Sequence, residues 1–285
     1  MVTPATMDCE IVITRNGSMA VRDRVSGEVM HPMGAETEAN EVYVNPSRLE
    51  ARLRGGGMPL VLLDIGLGAG SNAIAAWKVS ESLPTSARGL EIVSFDNDLG
   101  ALLLALEPGN AERFGFTRAP ADAQAAATAL VRDGRFETQR TNWRLEPGDL
   151  LLALARQPDA SADIVFWDMF SASVNPPLWS ISTFAELRRV CRDGATVHTY
   201  SASTSTRSAL LLGGFAVGVG VPTGKRDQTT AAAVNIQDLV RPLDARWLER
   251  LERSSAPFPA EVISDPDARR DALAQVRQLP QFRGR

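Results

Sequence analysis

The stretch from Met58 to Gly70 constrains this chain more than any other. Pro59-Leu60-Val61-Leu62-Leu63 is a continuous apolar run, the pattern of a strand buried on both faces. It ends at Asp64, and Asp64-Ile65-Gly66-Leu67-Gly68-Ala69-Gly70 follows. Glycines at that density let a backbone turn sharply and approach a ligand. A helical pattern then runs from about Ser71 to Ser82. In open α/β sheets ligands bind at the carboxyl ends of strands, so the loop marks a candidate site.

The rest of the chain repeats this unit. Leu90 to Phe95, Gln139 to Leu145, Asp163 to Trp167 and Ala195 to Tyr200 read as further strands. Leu99 to Glu107, Ala121 to Arg132, Gly148 to Arg156, Ile181 to Cys191 and Thr204 to Gly213 read as the helices between and after them. Strands alternating with helices predict a parallel sheet covered on both faces. The last two strands, Phe215 to Val221 and Thr229 to Ile236, have only the turn around Thr223-Gly224-Lys225-Arg226 between them. Upstream, Glu10 to Asp23 predicts a hairpin around Asn16-Gly17, a dipeptide suited to tight turns. Gly34 to Leu53 reads as a helical connector that Arg54-Gly55-Gly56-Gly57 breaks. The expected division is an entry segment over 1–57, a central domain over 58–236 and a helical tail over 237–285. The tail holds helical pieces at Trp247 to Arg253 and Ala268 to Gln278.

Composition narrows the function classes. The net charge of -4 counts against a large nucleic-acid-binding face. Cys9 and Cys191 form no paired motif, and His31 and His198 are the only histidines. A disulfide framework and a His-rich metal site are therefore not expected. The N-terminal residues lack a charged segment followed by an apolar core. The longest apolar run, Ala209 to Val221, is short and broken by glycine, so no membrane span is expected. The reading is a soluble cytoplasmic protein. The arginines of the tail, Arg269, Arg270, Arg277, Arg283 and Arg285, read first as a solvated face.

The glycine spacing separates two cofactor classes. A dinucleotide loop needs G-x-G-x-x-G; here the third glycine, Gly70, comes one residue early and Asp64 precedes the first, Gly66. The resulting D-x-G-x-G-x-G resembles the S-adenosylmethionine (SAM) loop of class I methyltransferases. The closing hairpin is similar to theirs as well. The resemblance implies a Rossmann-like seven-stranded sheet with helices on both faces, here with an N-terminal hairpin and a C-terminal helical tail. It implies that Gly66, Gly68 and Gly70 pack against the cofactor and that Asp64 faces its amino-acid end. Asp96 ends the second strand, 96 − 70 = 26 residues past the loop, where a carboxylate can accept from both ribose hydroxyls. Asp98 reads as a helix cap. Asp149, after the third strand, reads either as an acceptor for the adenine amino group or as a helix cap.

The fourth strand ends in Trp167-Asp168-Met169-Phe170-Ser171-Ala172-Ser173-Val174-Asn175-Pro176-Pro177-Leu178-Trp179. A carboxylate leaving a buried strand at that edge can take a proton from an attacking amine, or can cap a turn. This segment resembles the methyltransferase domain of the bifunctional tRNA 5-methylaminomethyl-2-thiouridine biosynthesis proteins, the MnmC family. Their pattern Asp-Gly-Phe-(Ala/Ser)-Pro-x-x-Asn-Pro-x-x-Trp is matched at Asp168, Phe170, Ser171, Asn175, Pro176 and Trp179. It is not matched at Met169, Ala172 and Val174. The similarity extends to Gly34-Ala35-Glu36-Thr37-Glu38, Val42-Tyr43-Val44, Leu187-Arg188-Arg189, Thr199-Tyr200-Ser201-Ala202, Gly214-Phe215 and Lys225-Arg226.

The resemblance implies SAM-dependent N-methylation of an aminomethyl-modified uridine in tRNA, without a metal. The flavin-dependent oxidase module of that family is not expected within 285 residues. Asp168 would position the amine and accept its proton. Asn175 would orient the nucleophile, or only shape its loop. Phe170, Trp179, Tyr200 and Ser201 would line the acceptor pocket, with core packing as the other role for Phe170 and Trp179. The competing readings are a methyltransferase for a small molecule or another RNA, and a SAM-binding protein without catalysis.

Overall fold

The structure is a computed structural model that describes residues 8–117, 123–222 and 228–283. Chain contacts divide it into two compact units, 1–153 with 164–168, and 154–163 with 169–285.

In the first unit, β1 (Cys9–Ile13), β2 (Met19–Asp23) and β3 (Val29–Met30) form a small antiparallel sheet. The expected hairpin is its first two strands. A left-handed glycine, Gly17, sits in the turn. The connector that follows is not one helix. It is α1 (Ala35–Glu38), a π-helical turn over Ala39–Val44, and α2 (Leu49–Arg54). In the π turn the Asn45 amide donates to the Asn40 carbonyl, five residues back, and single π turns tend to mark functional positions. Arg48, at φ 57°, starts α2 afresh.

The parallel strands of this unit are β4 (Leu60–Ile65), β5 (Leu90–Asp96), β7 (Thr141–Pro147) and β8 (Ala162–Trp167). Their helices are α3 (Ser71–Ser82), α4 (Gly100–Leu106), α5 (Asn110–Arg113), α6 (Ala123–Asp133) and α7 (Leu150–Ala155). The strand order is β8-β4-β5-β7-β6, with Leu62 beside Ile164 on β8 and Leu60 beside Leu90 on β5. Leu60, Leu62, Leu63 and Ile65 are all buried, which accounts for the unbroken apolar run. β6 (Arg135–Glu137) adds an antiparallel edge strand to the seven that were expected. It is too short, at three residues, to leave a pattern in sequence. The start of the helix expected at Ala121 lies outside the described residues.

The second unit holds α8 (Ile181–Val190), β9 (Cys191–Thr199), α9 (Thr204–Leu212), β10 (Ala216–Pro222) and β11 (Gln228–Ala233). β11 pairs antiparallel with both β10 and β9. This is the closing strand pair read from sequence; its turn at 223–226, with Lys225-Arg226, lies outside the described residues. The C-terminal segment packs within this unit through α10 (Ala245–Arg253), α11 (Ala260–Ile263) and α12 (Pro266–Arg277). Gln281 bridges β10 by accepting from the Val217 amide and donating to the Val217 carbonyl. Arg270 and Arg277 pair with Asp267 and Glu252 on exposed helix faces; Arg285 lies outside the described residues. No described helix is long and apolar enough to cross a membrane.

Candidate active site

The glycine loop is held from both sides. The Gly66 and Leu67 amides donate to the Phe95 carbonyl at 3.0 and 3.2 Å, and the Gly68 amide donates to Asp96 Oδ2 at 2.9 Å. Gly66, Gly68 and Gly70 all have positive φ. At Gly70 space decides as well: a Cβ there would come within 3.1 Å of Leu102 Cδ1. At Gly68 it would meet Met30 Sδ at 3.2 Å, so the strand β3 covers the loop.

Three carboxylates end the strands around this loop. Asp64 is only 1% exposed. Its Oδ2 accepts from Ser94 Oγ at 2.7 Å, and Ser94 in turn accepts from Trp143 Nε1. Its Oδ1 has no partner among the described residues. Burial pushes the Asp64 carboxyl up to about 7. Asp96 accepts from the Gly68 and Asp98 amides, and burial pushes it up to about 6.

Asp168 follows β8, with its amide bonded to the Ile65 carbonyl at 2.8 Å. Its Oδ1 accepts from the Tyr43 hydroxyl at 2.6 Å. Its Oδ2 accepts from Asn72 Nδ2 at 2.8 Å and lies 2.9 Å from His31 Nε2 in an ion-pair contact. Burial opposes ionisation of Asp168, but the His31 charge and these donors outweigh it and hold the carboxyl below its ordinary range. Burial likewise disfavours a charged His31, yet Asp168 first, then Glu38 and Asp64, raise it to about 9. An imidazolium and a carboxylate thus sit together out of water, at φ 53° for His31. Such a backbone is strained for a non-glycine residue and is kept where surroundings fix it. Here the Gly34 amide bonds back to the His31 carbonyl, and Glu38 Oε2 accepts from the Met33 amide.

This arrangement fits SAM. An unpartnered buried carboxylate oxygen on Asp64 suits an ammonium donor, and the two raised carboxyls gain an ionising partner from a cationic ligand. Neither thiol is activated: burial pushes Cys9 up to about 11 and Cys191 up to about 12.

Comparison with known proteins decides the class. Residues 119–235 match the family described as S-adenosyl-L-methionine-dependent methyltransferase. The chain is 31% identical over 223 residues to the tRNA 5-methylaminomethyl-2-thiouridine biosynthesis bifunctional protein MnmC of Methylibium petroleiphilum, covering 78% of this chain and 34% of that one. It superposes on the crystal structure of MNMC2 from Aquifex aeolicus with a TM-score of 0.73 and 26% identity, over 97% of this chain and 87% of that chain. This chain is similar to the MnmC proteins, and its matched stretch is that of a SAM-dependent methyltransferase. The chain spans about a third of the length of the curated relative. Spermidine synthase from Thermotoga maritima shares the fold alone, at a TM-score of 0.51 and 12% identity over 95% of this chain and 85% of that one.

Within the methyltransferase, Asp64, Gly66, Gly68, Gly70, Asp96 and Asp168 all lie in the first unit around the ends of β4, β5 and β8. Asp98 caps α4 through the Gly100 amide at 2.6 Å. Asp149 is exposed, and its Oδ1 accepts from the Leu152 amide at 3.0 Å, which is the capping role. The second unit holds the other residues singled out. Asn175 precedes the 3₁₀ turn Pro176–Trp179 and its backbone shapes that loop. Trp179 is buried edge-on to Phe184 and Tyr200, and its Nε1 donates to the Phe170 carbonyl at 2.8 Å; it is packed in the core and does not offer a face for stacking. Phe170 is half-buried. The Tyr200 hydroxyl donates to the Met169 carbonyl at 2.9 Å. Ser201 Oγ is bonded to Thr206 Oγ1 at 3.0 Å.

Sequence reasoning missed His31, Tyr43, Asn72 and Ser94 as site members. Asn72 carried a signal: it is an amide directly after the loop and ahead of the apolar run Ala73-Ile74-Ala75-Ala76-Trp77. His31 and Tyr43 reach Asp168 from an entry segment distant in sequence, and no spacing rule links them to it.

Proposed function

We propose that the methyltransferase N-methylates the amine of an aminomethyl-modified uridine in tRNA, acting in the cytoplasm. The observation that carries this reading is the Asp168 carboxylate, kept ionised beside the glycine loop by Tyr43, Asn72 and His31. The substrate class comes from the curated relatives, whose name places them in tRNA 5-methylaminomethyl-2-thiouridine biosynthesis. On this reading 58–236 is the methyltransferase domain, 1–57 donates His31 and Tyr43, and 237–285 is a C-terminal tail.

When bound, SAM supplies an electrophilic methyl group. Asp64 Oδ1 would accept from its ammonium, and Asp96 would accept from the ribose hydroxyls. Asp168 draws the substrate amine to the end of β8 and fixes its direction. Alignment of this kind is worth several kcal/mol, roughly 7–11 in favourable systems. A carboxylate held below its ordinary range is a weak proton acceptor, so Asp168 serves as a fixed negative charge. The proton leaves the methylated amine for solvent.

Labelled SAM incubated with bulk tRNA, and separately with a small-metabolite pool, tests the reading. Label in tRNA at an aminomethyl-modified uridine is expected. Label only in small molecules would transfer the reading to that substrate class. S-adenosylhomocysteine is expected to bind and NAD to be ignored.

A further inference from the structure

We propose that Asn72 is a specificity-determining residue whose Oδ1 accepts an N–H of the substrate amine, so that the site selects an amine over a hydroxyl. This rests on the reading above.

Asn72 is the second residue of α3 and is 2% exposed. Its orientation is set by chemistry. An ionised carboxylate can only accept hydrogen bonds, so the side of the amide that faces Asp168 Oδ2 at 2.8 Å must be the nitrogen. The other side is therefore the oxygen. Asn72 Oδ1 is buried and has no partner among the described residues. A buried acceptor left unmade costs as much as a lost hydrogen bond, and such atoms call for an explanation.

A nucleophilic amine must keep its lone pair free to attack, so it can be held only through its N–H groups. Asp168 Oδ2 already has Asn72 and His31 against it, and Oδ1 has Tyr43. One acceptor direction remains on Oδ1, and Asn72 Oδ1 supplies a second. A primary amine has two N–H groups to fill both. A hydroxyl has one hydrogen and leaves a buried acceptor unmet. Asp64 Oδ1 is the separate acceptor that suits the cofactor's ammonium.

The experiment uses Asn72→Leu, which removes both polar atoms, and Asn72→Ser, a smaller polar residue that lacks the amide oxygen. Each is assayed with anticodon stem-loops carrying 5-aminomethyluridine, 5-hydroxymethyluridine or plain uridine. The expected result is that both variants raise KM for the aminomethyl stem-loop by about tenfold or more. Their affinities for the hydroxymethyl and plain stem-loops and for S-adenosylhomocysteine should stay at the wild-type level, so the preference for amine collapses. An unchanged KM in Asn72→Ser, or a loss of adenosylhomocysteine affinity in parallel, would overturn the assignment. If the wild-type protein methylates no aminomethyl stem-loop, the substrate reading itself fails, and this outcome is distinct from failure of the Asn72 assignment alone. Should Asn72→Leu unfold by circular dichroism, Asn72→Ser decides.

Discussion

The Tyr43 hydroxyl donates to Asp168 Oδ1 at 2.6 Å across 125 positions of sequence. The contact joins a π-helical turn of the entry segment to the end of a sheet strand. Tyr43→Phe removes this donor and leaves the ring packed against Phe166, whose centroid is 5.4 Å away. Turnover of the aminomethyl substrate is expected to fall about tenfold, with S-adenosylhomocysteine affinity unchanged by calorimetry. Unchanged turnover would remove Tyr43 from the site.

Asp168→Asn keeps the shape and loses the charge. It also brings an amide nitrogen against Tyr43 and Asn72, which donate to the wild-type carboxylate, and against its ion-pair partner His31. Turnover should drop by about a hundredfold or more, in line with the loss of a preorganised electrostatic partner. Cofactor binding should survive. A variant with normal kcat would exclude the fixed-charge role.

The His31–Asp168 pair gives stability a pH dependence. His31 rises from 6.5 when unfolded to about 9 when folded. Its contribution is therefore complete below pH 6.5 and is lost as pH rises through about 9. Asp64 and Asp96 act in the opposite range: their raised carboxyls favour the folded state as pH falls below about 7 and 6. The window from 7 to 9 belongs to His31. The unfolding free energy of the wild type should fall across it by an amount on the order of 2–3 kcal/mol for this buried group, with Tm falling in parallel, and His31→Gln should flatten that slope. Parallel slopes in the two proteins would refute the pairing.

Asp64 makes cofactor binding pH-dependent. Its carboxyl is raised to about 7 before a cation arrives, and an ammonium binds the ionised form. S-adenosylhomocysteine affinity should therefore rise as pH increases from about 6 to 8, with protons released on binding. Asp64→Asn should bind more weakly and without that rise. Equal pH profiles for the two proteins, measured by calorimetry in buffers of different ionisation heat, would count against the ammonium contact.

Gly70 and Gly109 separate backbone strain from packing. Both have positive φ, 82° and 87°. A Cβ at Gly109 meets nothing within 4 Å, whereas at Gly70 it comes within 3.1 Å of Leu102 and 3.3 Å of Ile74. Gly109→Ala is expected to cost about 1 kcal/mol. Gly70→Ala should cost more, roughly 2–4 kcal/mol with the overpacking added, and should also weaken cofactor binding. Urea unfolding of both proteins measures the difference.

The sequence determined the order of elements and the glycine loop, because both are written in neighbouring residues. An apolar run such as Leu60-Val61-Leu62-Leu63 carries its own burial, and a glycine at Gly66, Gly68 or Gly70 declares a backbone that other residues resist. Asp64, Asp96 and Asp168 were legible for the same reason: each ends a strand whose limits can be read locally. Only the tertiary structure decided what surrounds Asp168. The strand β3 brings Met30 over Gly68 and delivers His31 to the carboxylate, while the π turn aims Tyr43 at the same group. Those contacts depend on how the entry segment folds back over β4 and β8, a long-range packing outcome with no local pattern. The neighbours there set the protonation of His31 and Asp168 together against the cost of burial, and that charge balance is a property no single stretch of chain contains.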